Sequence, residues 1–267
     1  MAIYADLIRH RELFGNLFRR DLRAKYRGSV LGVAWSLAHP LLLMAIYTLV
    51  FSLLTPVVDA DVDPYPLFLL SGLAVWVFFS TSVQAASRSL LENANLIRKI
   101  RFPRQLVPLS VVATHLVSFV VMLLGLAVVN VVFLPETRDT VWLALPLAVA
   151  VVALVGGFAL AVASVNVLFR DVEHILAALL LPWFFLTPVL YRIDELPGGV
   201  ELDGTLVQVL RYANFMTPSL EALRDPLFFG ELPRLGDVLY LIGAAIGALL
   251  LGAWAFNRVD DQIAVEV

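Results

Sequence analysis

Six predominantly apolar stretches, near 30–54, 67–86, 107–134, 141–168, 174–191 and 236–256, take up most of the chain. A helix needs about 20 such residues to cross a hydrocarbon core about 30 Å thick. Inside lipid every backbone N–H and C=O must be bonded within the protein, so segments of this length read as helices. The expected fold class is an all-α polytopic membrane protein with six transmembrane helices. The fifth stretch is the weakest of the six, being short and carrying Pro182 and Pro188, which remove backbone donors. Composition agrees: 60% of the 267 residues are hydrophobic and 15% charged, against about 45–50% and about 25% in soluble domains.

Basic residues set the expected orientation. Arg9, Arg11, Arg19, Arg20, Arg23, Lys25 and Arg27 precede the first span, and Arg88, Arg98, Lys99, Arg101 and Arg104 lie between the second and third. Arg170 follows the fourth span and Arg258 the sixth. The loop 55–66, TPVVDADVDPYP, has three aspartates and no basic residue, and the loop 135–140 has only Arg138. The positive-inside rule then puts both termini and the 87–106 loop in the cytoplasm and the 192–235 loop outside. A cleaved secretory signal is not expected, because nearly thirty residues precede the first apolar run and that run is long enough to remain in the bilayer.

Residues 1–29 form the first expected unit. On a helical wheel Ile3, Tyr4, Leu7, Phe14, Leu17, Phe18 and Leu22 share one face of a 3–26 helix, with Arg9, Arg19, Arg20, Arg23 and Arg27 opposite. Such a helix lies at the headgroup boundary with its cations over anionic lipid; a helix packed on a partner is the alternative. Asp21 and Lys25 intrude on the apolar arc. Gly28 and Ser29 then make the bend into the first span, an elbow able to transmit movement. Residues 30–256 form the transmembrane unit, and 257–267 a cytoplasmic tail.

The segment 90–108, LLENANLIRKIRFPRQLVP, is too polar to span. It is either a returning loop that obeys the positive-inside rule or a helix that docks a protein, and its apolar residues favour the second. Phe102-Pro103 marks a helix boundary.

Several chemistries are excluded. No cysteine is present, so no disulfide or catalytic thiol exists. No G-x-x-x-x-G-K-[ST] occurs to cradle nucleotide phosphates, and there is no H-E-x-x-H or G-x-S-x-G. His10, His39, His115 and His174 are scattered, without metal-ligand spacing. His39, before Pro40, reads as a neutral imidazole bonding a carbonyl freed at a kink. Asn130, Gln84 and Asn166 read as interhelical hydrogen-bond partners. The acidic residues fall almost entirely in loops, where solvation is the default. The basic run at 19–27 is followed by a span, which argues against a nucleic-acid patch. Aromatic residues crowd the span ends, either as an interfacial belt or as faces on which sugar rings stack.

The stretches RRDLRAKYRGSVLGVAWSLAHPLL (19–42) and YTLVFS, with NLIRKIRFPRQLVPLS (95–110), LPWFFLTPVLY (181–191) and NFMTPSLEALRDPLF (214–228), occur in an order that resembles the membrane subunits of ABC-type polysaccharide exporters. These are the permeases for O-antigen, teichoic acid, capsule and related glycans. The resemblance implies a homodimer with the channel between its subunits, in the cytoplasmic (inner) membrane. It implies two separate ATP-binding cassette ATPase subunits that carry ATP and Mg, with no cofactor on this chain. It also implies a lipid-linked polysaccharide as cargo. Leu96, Ile97, Arg98, Lys99, Arg101, Phe102, Pro103 and Arg104 would form the helix that couples to the ATPase. The interfacial helix and elbow would use Arg19, Arg20, Arg23, Lys25, Arg27, Gly28 and Ser29. Trp35, Tyr47, Trp76 and Phe79 are assigned to the glycan path. Short re-entrant helices within 192–235 would build an outer gate with Tyr191, Asn214, Phe215 and Pro218. Members of that family often have Asn-Pro in the outer motif, whereas Phe215 follows Asn214 here. A permease for drugs or lipids is the alternative cargo reading. A membrane-embedded enzyme of lipid-linked sugar metabolism is the alternative class, opposed by the lack of clustered polar groups in the spans.

Overall fold

The computed structural model of the chain describes residues 2–29, 32–54, 64–100, 102–193 and 204–266. Arg101, most of the 55–66 loop and residues 194–203 of the outer loop lie outside the described residues. All regular elements among the described residues are helical: α1 (Ala2–Arg9), α2 (Arg11–Tyr26), α3 (Trp35–Leu54), α4 (Tyr65–Glu92), α5 (Ala94–Lys99), α6 (Leu106–Phe133), α7 (Ala144–Leu168), α8 (Asp171–Leu186), α9 (Gly204–Ala213), α10 (Met216–Arg224) and α11 (Leu235–Glu266).

Among the described residues four helical segments are long and apolar enough to cross a membrane: α4, α6, α7 with the short turn before it, and α11. α4, α7 and α11 run in one direction and α6 in the opposite one, and the apolar stretch of α4 is mostly buried. Two of the six expected spans are shorter. The apolar part of α3 covers Leu37–Val50, and α8 has 16 residues, with Pro182 inside it. The α8 helix stops at Thr187 because Pro188 cannot continue it. At the other extreme, the expected tail after 256 continues as helix, since α11 runs to Glu266.

The helix pair α7–α11 packs backbone against backbone. A Cβ on Gly157 would sit 2.3 Å from the Ala248 carbonyl carbon. Lipid tails offer no hydrophobic drive for helix pairing, so close van der Waals approach through small residues supplies it.

Apolar packing forms two clusters among the described residues. The larger joins α4, the distal half of α6, the start of α7, α8, α10 and the start of α11, through residues such as Phe68, Phe79, Leu126, Val151, Met216 and Leu220. The smaller gathers the opposite end, where Leu17 of α2 meets Leu90, Ile97, Leu106, Leu160, Val167, Phe256 and Val259. This second end carries α1, α2, α5 and the final turns of α11, and is the basic end of the molecule.

The expected single helix over 3–26 is broken at His10 into α1 and α2. Leu17 is buried, and Tyr4, Leu7, Leu13 and Phe14 pack against the basic-end cluster. The two residues that spoil the apolar arc have partners on α6. Asp21 accepts a 3.0 Å bond from Ser110, and Lys25 donates to Ser118 at 3.2 Å. These two bonds fasten α2 to the side of α6.

Candidate functional site

At the far end, the short helices α9 and α10 bring a charge network into the protein. Arg211 on α9 forms a bidentate pair with Asp237 at the start of α11, at 3.0 and 2.5 Å. Arg224 at the end of α10 is 1% exposed. Its guanidinium donates to the carbonyls of Pro188 (2.8 Å) and Val189 (3.1 Å), to Ser71 (3.2 Å) and to Glu221 (3.2 Å). Glu221 also lies 4.0 Å from Arg211 and so joins the two pairs. A Cβ on Gly72 would stand 2.3 Å from an Arg224 nitrogen, so α4 admits this side chain only at a glycine. Burial lowers the Arg224 pKa to about 10, against the raising effect of Glu221 and Asp225, and leaves it cationic at neutral pH. Burial first, then the Glu221 and Asp237 carboxylates, push Asp225 up to about 7.

This network corrects the reading that acidic residues occupy solvated loops: Glu221, Asp225 and Asp237 are all buried. The local signal was LEALRDPLFF, an acid and a base three apart in a run of apolar residues. Such a run has no water to solvate the pair, so its members must satisfy each other.

Beside the network lies an aromatic cluster that contains several of the residues singled out in the sequence. Phe215 meets Trp183 at 5.2 Å, Phe158 at 5.6 Å and Phe79 at 5.8 Å between ring centroids. Trp76 meets Phe184 at 5.7 Å, as does Tyr47. Phe79 and Trp76 are 0% and 6% exposed, whereas Trp35 is 57% exposed and stands apart on α3. Asn214 ties the end of α8 to the start of α10. Its Oδ1 accepts from the Trp183 indole (2.9 Å) and from the Met216 N–H (3.1 Å), and its Nδ2 donates to Thr187 Oγ1 (2.9 Å). Phe215 packs within the aromatic cluster. Pro218 is buried in the first turns of α10. The Tyr191 hydroxyl donates to the Phe185 carbonyl at 3.2 Å. A cavity of about 540 Å³ opens here, walled by Pro182, Trp183, Tyr191, Asn214 and Phe215 among others.

Asn130 and Asn166 make the interhelical bonds expected of them. Asn130 donates to the Leu227 carbonyl. Asn166 donates to the Ser87 carbonyl at 2.9 Å and accepts from the Glu173 N–H at 3.0 Å. Gln84 is exposed.

At the basic end the coupling segment divides by exposure. Ile97 is buried, Leu96, Phe102, Pro103 and Arg104 are half-buried, and Arg98 and Lys99 are exposed. Arg104 donates to the Asp260 carbonyl and lies 3.1 Å from its carboxylate, fastening the start of α6 to α11. Gln105 donates to Asp6 at 2.7 Å. Arg19, Arg20, Arg23 and Arg27 are exposed. Gly28 has φ +75°, a left-handed conformation that side chains disfavour, and the Ser29 hydroxyl accepts from the Gly32 N–H at 3.0 Å. These two residues form the bend between α2 and α3.

Comparison with known proteins adds the last observations. Residues 12–228 match the family described as ABC-2 type transporter. A relative named O-antigen export system permease protein RfbA, from Myxococcus xanthus, is 33% identical over 265 residues, covering 98% of this chain and 96% of the relative. A protein of the same name from Klebsiella pneumoniae is 32% identical over 247 residues, covering 92% and 91% respectively.

Proposed function

The chain belongs to the ABC-2 type transporter family, and from that premise we propose that it is the permease subunit of a polysaccharide export system. Its cargo is a lipid-linked cell-surface glycan of the O-antigen class. The observation that carries this reading is the nearly end-to-end likeness to permeases named for O-antigen export. A likeness of that extent includes α9, α10 and the coupling segment as well as the spans.

The chain acts as a transport subunit, and ATP hydrolysis belongs to a separate ATPase pair. Two copies of the permease form the channel. In this reading α3 and α8 complete six spans, and both termini face the cytoplasm of the inner membrane. Exposed apolar residues on α3 and α8, among them Leu42, Leu49, Leu181 and Phe185, are consistent with a surface that meets the second copy. The exposed Arg98 and Lys99 of α5 face the ATPase, while Ile97 and Arg104 anchor α5 and the start of α6 to the bundle. Movement of α5 and of the Gly28 elbow reaches the spans through the basic-end cluster. The pair α9–α10 forms the outer gate, with Asn214 and Phe215 holding it to α8.

The test is complementation. A host deleted for its own O-antigen permease and supplied with this chain, the cognate ATPase and the glycan synthesis genes should display the glycan at its surface. Glycan retained in the cytoplasm would sink the reading. A gain of drug tolerance without surface glycan would replace it with a drug-export function.

A further inference from the structure

We propose that Ser80, Thr81, Gln84 and Arg88 form one wall of a water-filled vestibule in the basic-end half of the bundle, and that hydroxyl groups of the sugar chain bond to it. The inference rests on the export reading and names the side chains that the glycan meets on entry.

The four residues share one face of α4, at the spacing of successive helical turns. The opposite face of this stretch is buried, through Phe79, Ser82, Val83, Ala86 and Ser87. Trp76 and Phe79 turn into the aromatic cluster. The exposed side chains of α4 are Gln84, Arg88 and Glu92, all of them polar, with Ser80 and Thr81 half-buried beside them. The other spans show the reverse. Exposed residues of α6 include Val120, Leu124 and Val128, and those of α11 include Leu239, Ile246 and Leu250. Those are surfaces for lipid, and the open face of α4 is not.

Depth makes the contrast matter. Gln84 lies about 12 Å and Ser80 about 18 Å inward of Glu92, at 1.5 Å per residue. Arginine can reach back to the headgroups along its aliphatic stem, but serine, threonine and glutamine are too short to do so. Polar side chains at such depth face a protein interior or a water-filled cavity.

The chemistry of the face suits neutral hydroxyl groups. Ser80 and Thr81 donate to the Val77 carbonyl, at 3.4 and 2.6 Å, so each oxygen remains an acceptor. Among the described residues the Gln84 amide has no hydrogen-bond partner, and it keeps two donors and an acceptor. Arg88 faces Glu92 at 3.2 Å and Glu173 of α8 at 3.9 Å. Two carboxylates offset its charge, which leaves little attraction for a free anion. Sugar hydroxyls both donate and accept, and so match this wall.

The chain has no cysteine, so single cysteines report their surroundings directly. The experiment uses the full chain with its ATPase in inverted membrane vesicles and a charged, membrane-impermeant methanethiosulfonate as probe. Only a hydrated thiol ionises and reacts, so Ser80→Cys and Gln84→Cys should be modified at least about tenfold faster than Leu124→Cys on the apolar face of α6. Rates equal to that of Leu124→Cys in monodisperse variants overturn the vestibule, whether lipid or a second copy covers the face. Vesicles from cells that make the glycan and carry a hydrolysis-deficient ATPase supply the second arm. Modification of Gln84→Cys should be slowed severalfold there, relative to cells without the glycan. Fast modification that ignores the glycan overturns the glycan as occupant. Export is scored separately by complementation. A chain that exports while its α4 face is unreactive refutes the vestibule and leaves the export reading. A reactive face in a chain that fails to export refutes the export reading, and the glycan with it, and leaves the aqueous face.

Discussion

The guanidinium of Arg224 lies 3.9 Å from the centroid of the Phe68 ring, a cation stacked on an aromatic face inside the protein. Its four hydrogen-bond partners come from α4, from α10 itself and from the turn after α8. One side chain thereby joins three segments of the far end. Replacing it with methionine leaves two buried carbonyls without their donor and takes from Glu221 one of its two arginine neighbours, at a cost of about 3–5 kcal/mol. The expected outcome is a large drop in the thermal midpoint of the detergent-solubilised chain. Gly72→Val should do the same by occupying the guanidinium's place, and an unchanged midpoint in both variants would refute this account.

Asp225 carries a pH signature. Its folded pKa, raised to about 7 from 3.8, means that the folded chain holds this proton more tightly than the unfolded chain. The contribution of Asp225 to stability therefore falls as pH rises from about 4 to about 7 and levels off above that. Asp225→Asn should flatten the midpoint-against-pH curve in that window. An identical slope in the variant rejects the assignment.

The α7–α11 contact depends on the absence of a side chain at Gly157. A methyl group there collides with main chain, which moves only with its helix. Gly157→Ala is expected to destabilise by about 1–3 kcal/mol, the range of overpacked cores, and Gly157→Leu to abolish recovery of monodisperse protein. Wild-type thermal behaviour of Gly157→Ala would show that the two helices sit farther apart.

Exposure divides the segment proposed to couple to the ATPase: Arg98 and Lys99 are exposed and Ile97 is buried. Arg98→Glu with Lys99→Glu should abolish co-purification of the ATPase and leave the thermal midpoint unchanged. Ile97→Ala should lower the midpoint, by about 2–5 kcal/mol of stability for a buried aliphatic residue. Retained co-purification by the double charge reversal removes α5 from the interface.

Gly28→Pro forces φ from +75° to about −65° and reverses the bend between α2 and α3. Membrane insertion, read by protease accessibility of tagged termini, should persist while glycan export fails. Normal export by this variant would exclude the elbow as a mechanical element.

Much of this architecture was legible because hydropathy is a local property. Any window of about 20 apolar residues declares a helix whatever its neighbours do, and so α4, α6, α7 and α11 stand where they were expected. The amphipathic stripe of Leu7, Phe14 and Leu17 was likewise readable. The break at His10 was not, because it serves a contact with the bundle. Asp21 and Lys25 looked like flaws in the stripe, since their partners Ser110 and Ser118 lie about ninety residues away on another helix. The shortness of α8 was half visible in Pro182 and Pro188.

By itself the sequence determined an all-helical membrane chain, a basic end and the order of its segments. It did so because burial in lipid and attraction to headgroups act on each segment separately. Only the tertiary structure decided that Arg211, Glu221, Arg224 and Asp237 share one buried network, and that Phe215 fills the aromatic cluster between α4, α7 and α8. Ser71 and Arg224 are 153 positions apart. Whether such a charge is solvated by water or by protein depends on which distant groups the fold brings within 3 Å or so. No local pattern carries that information.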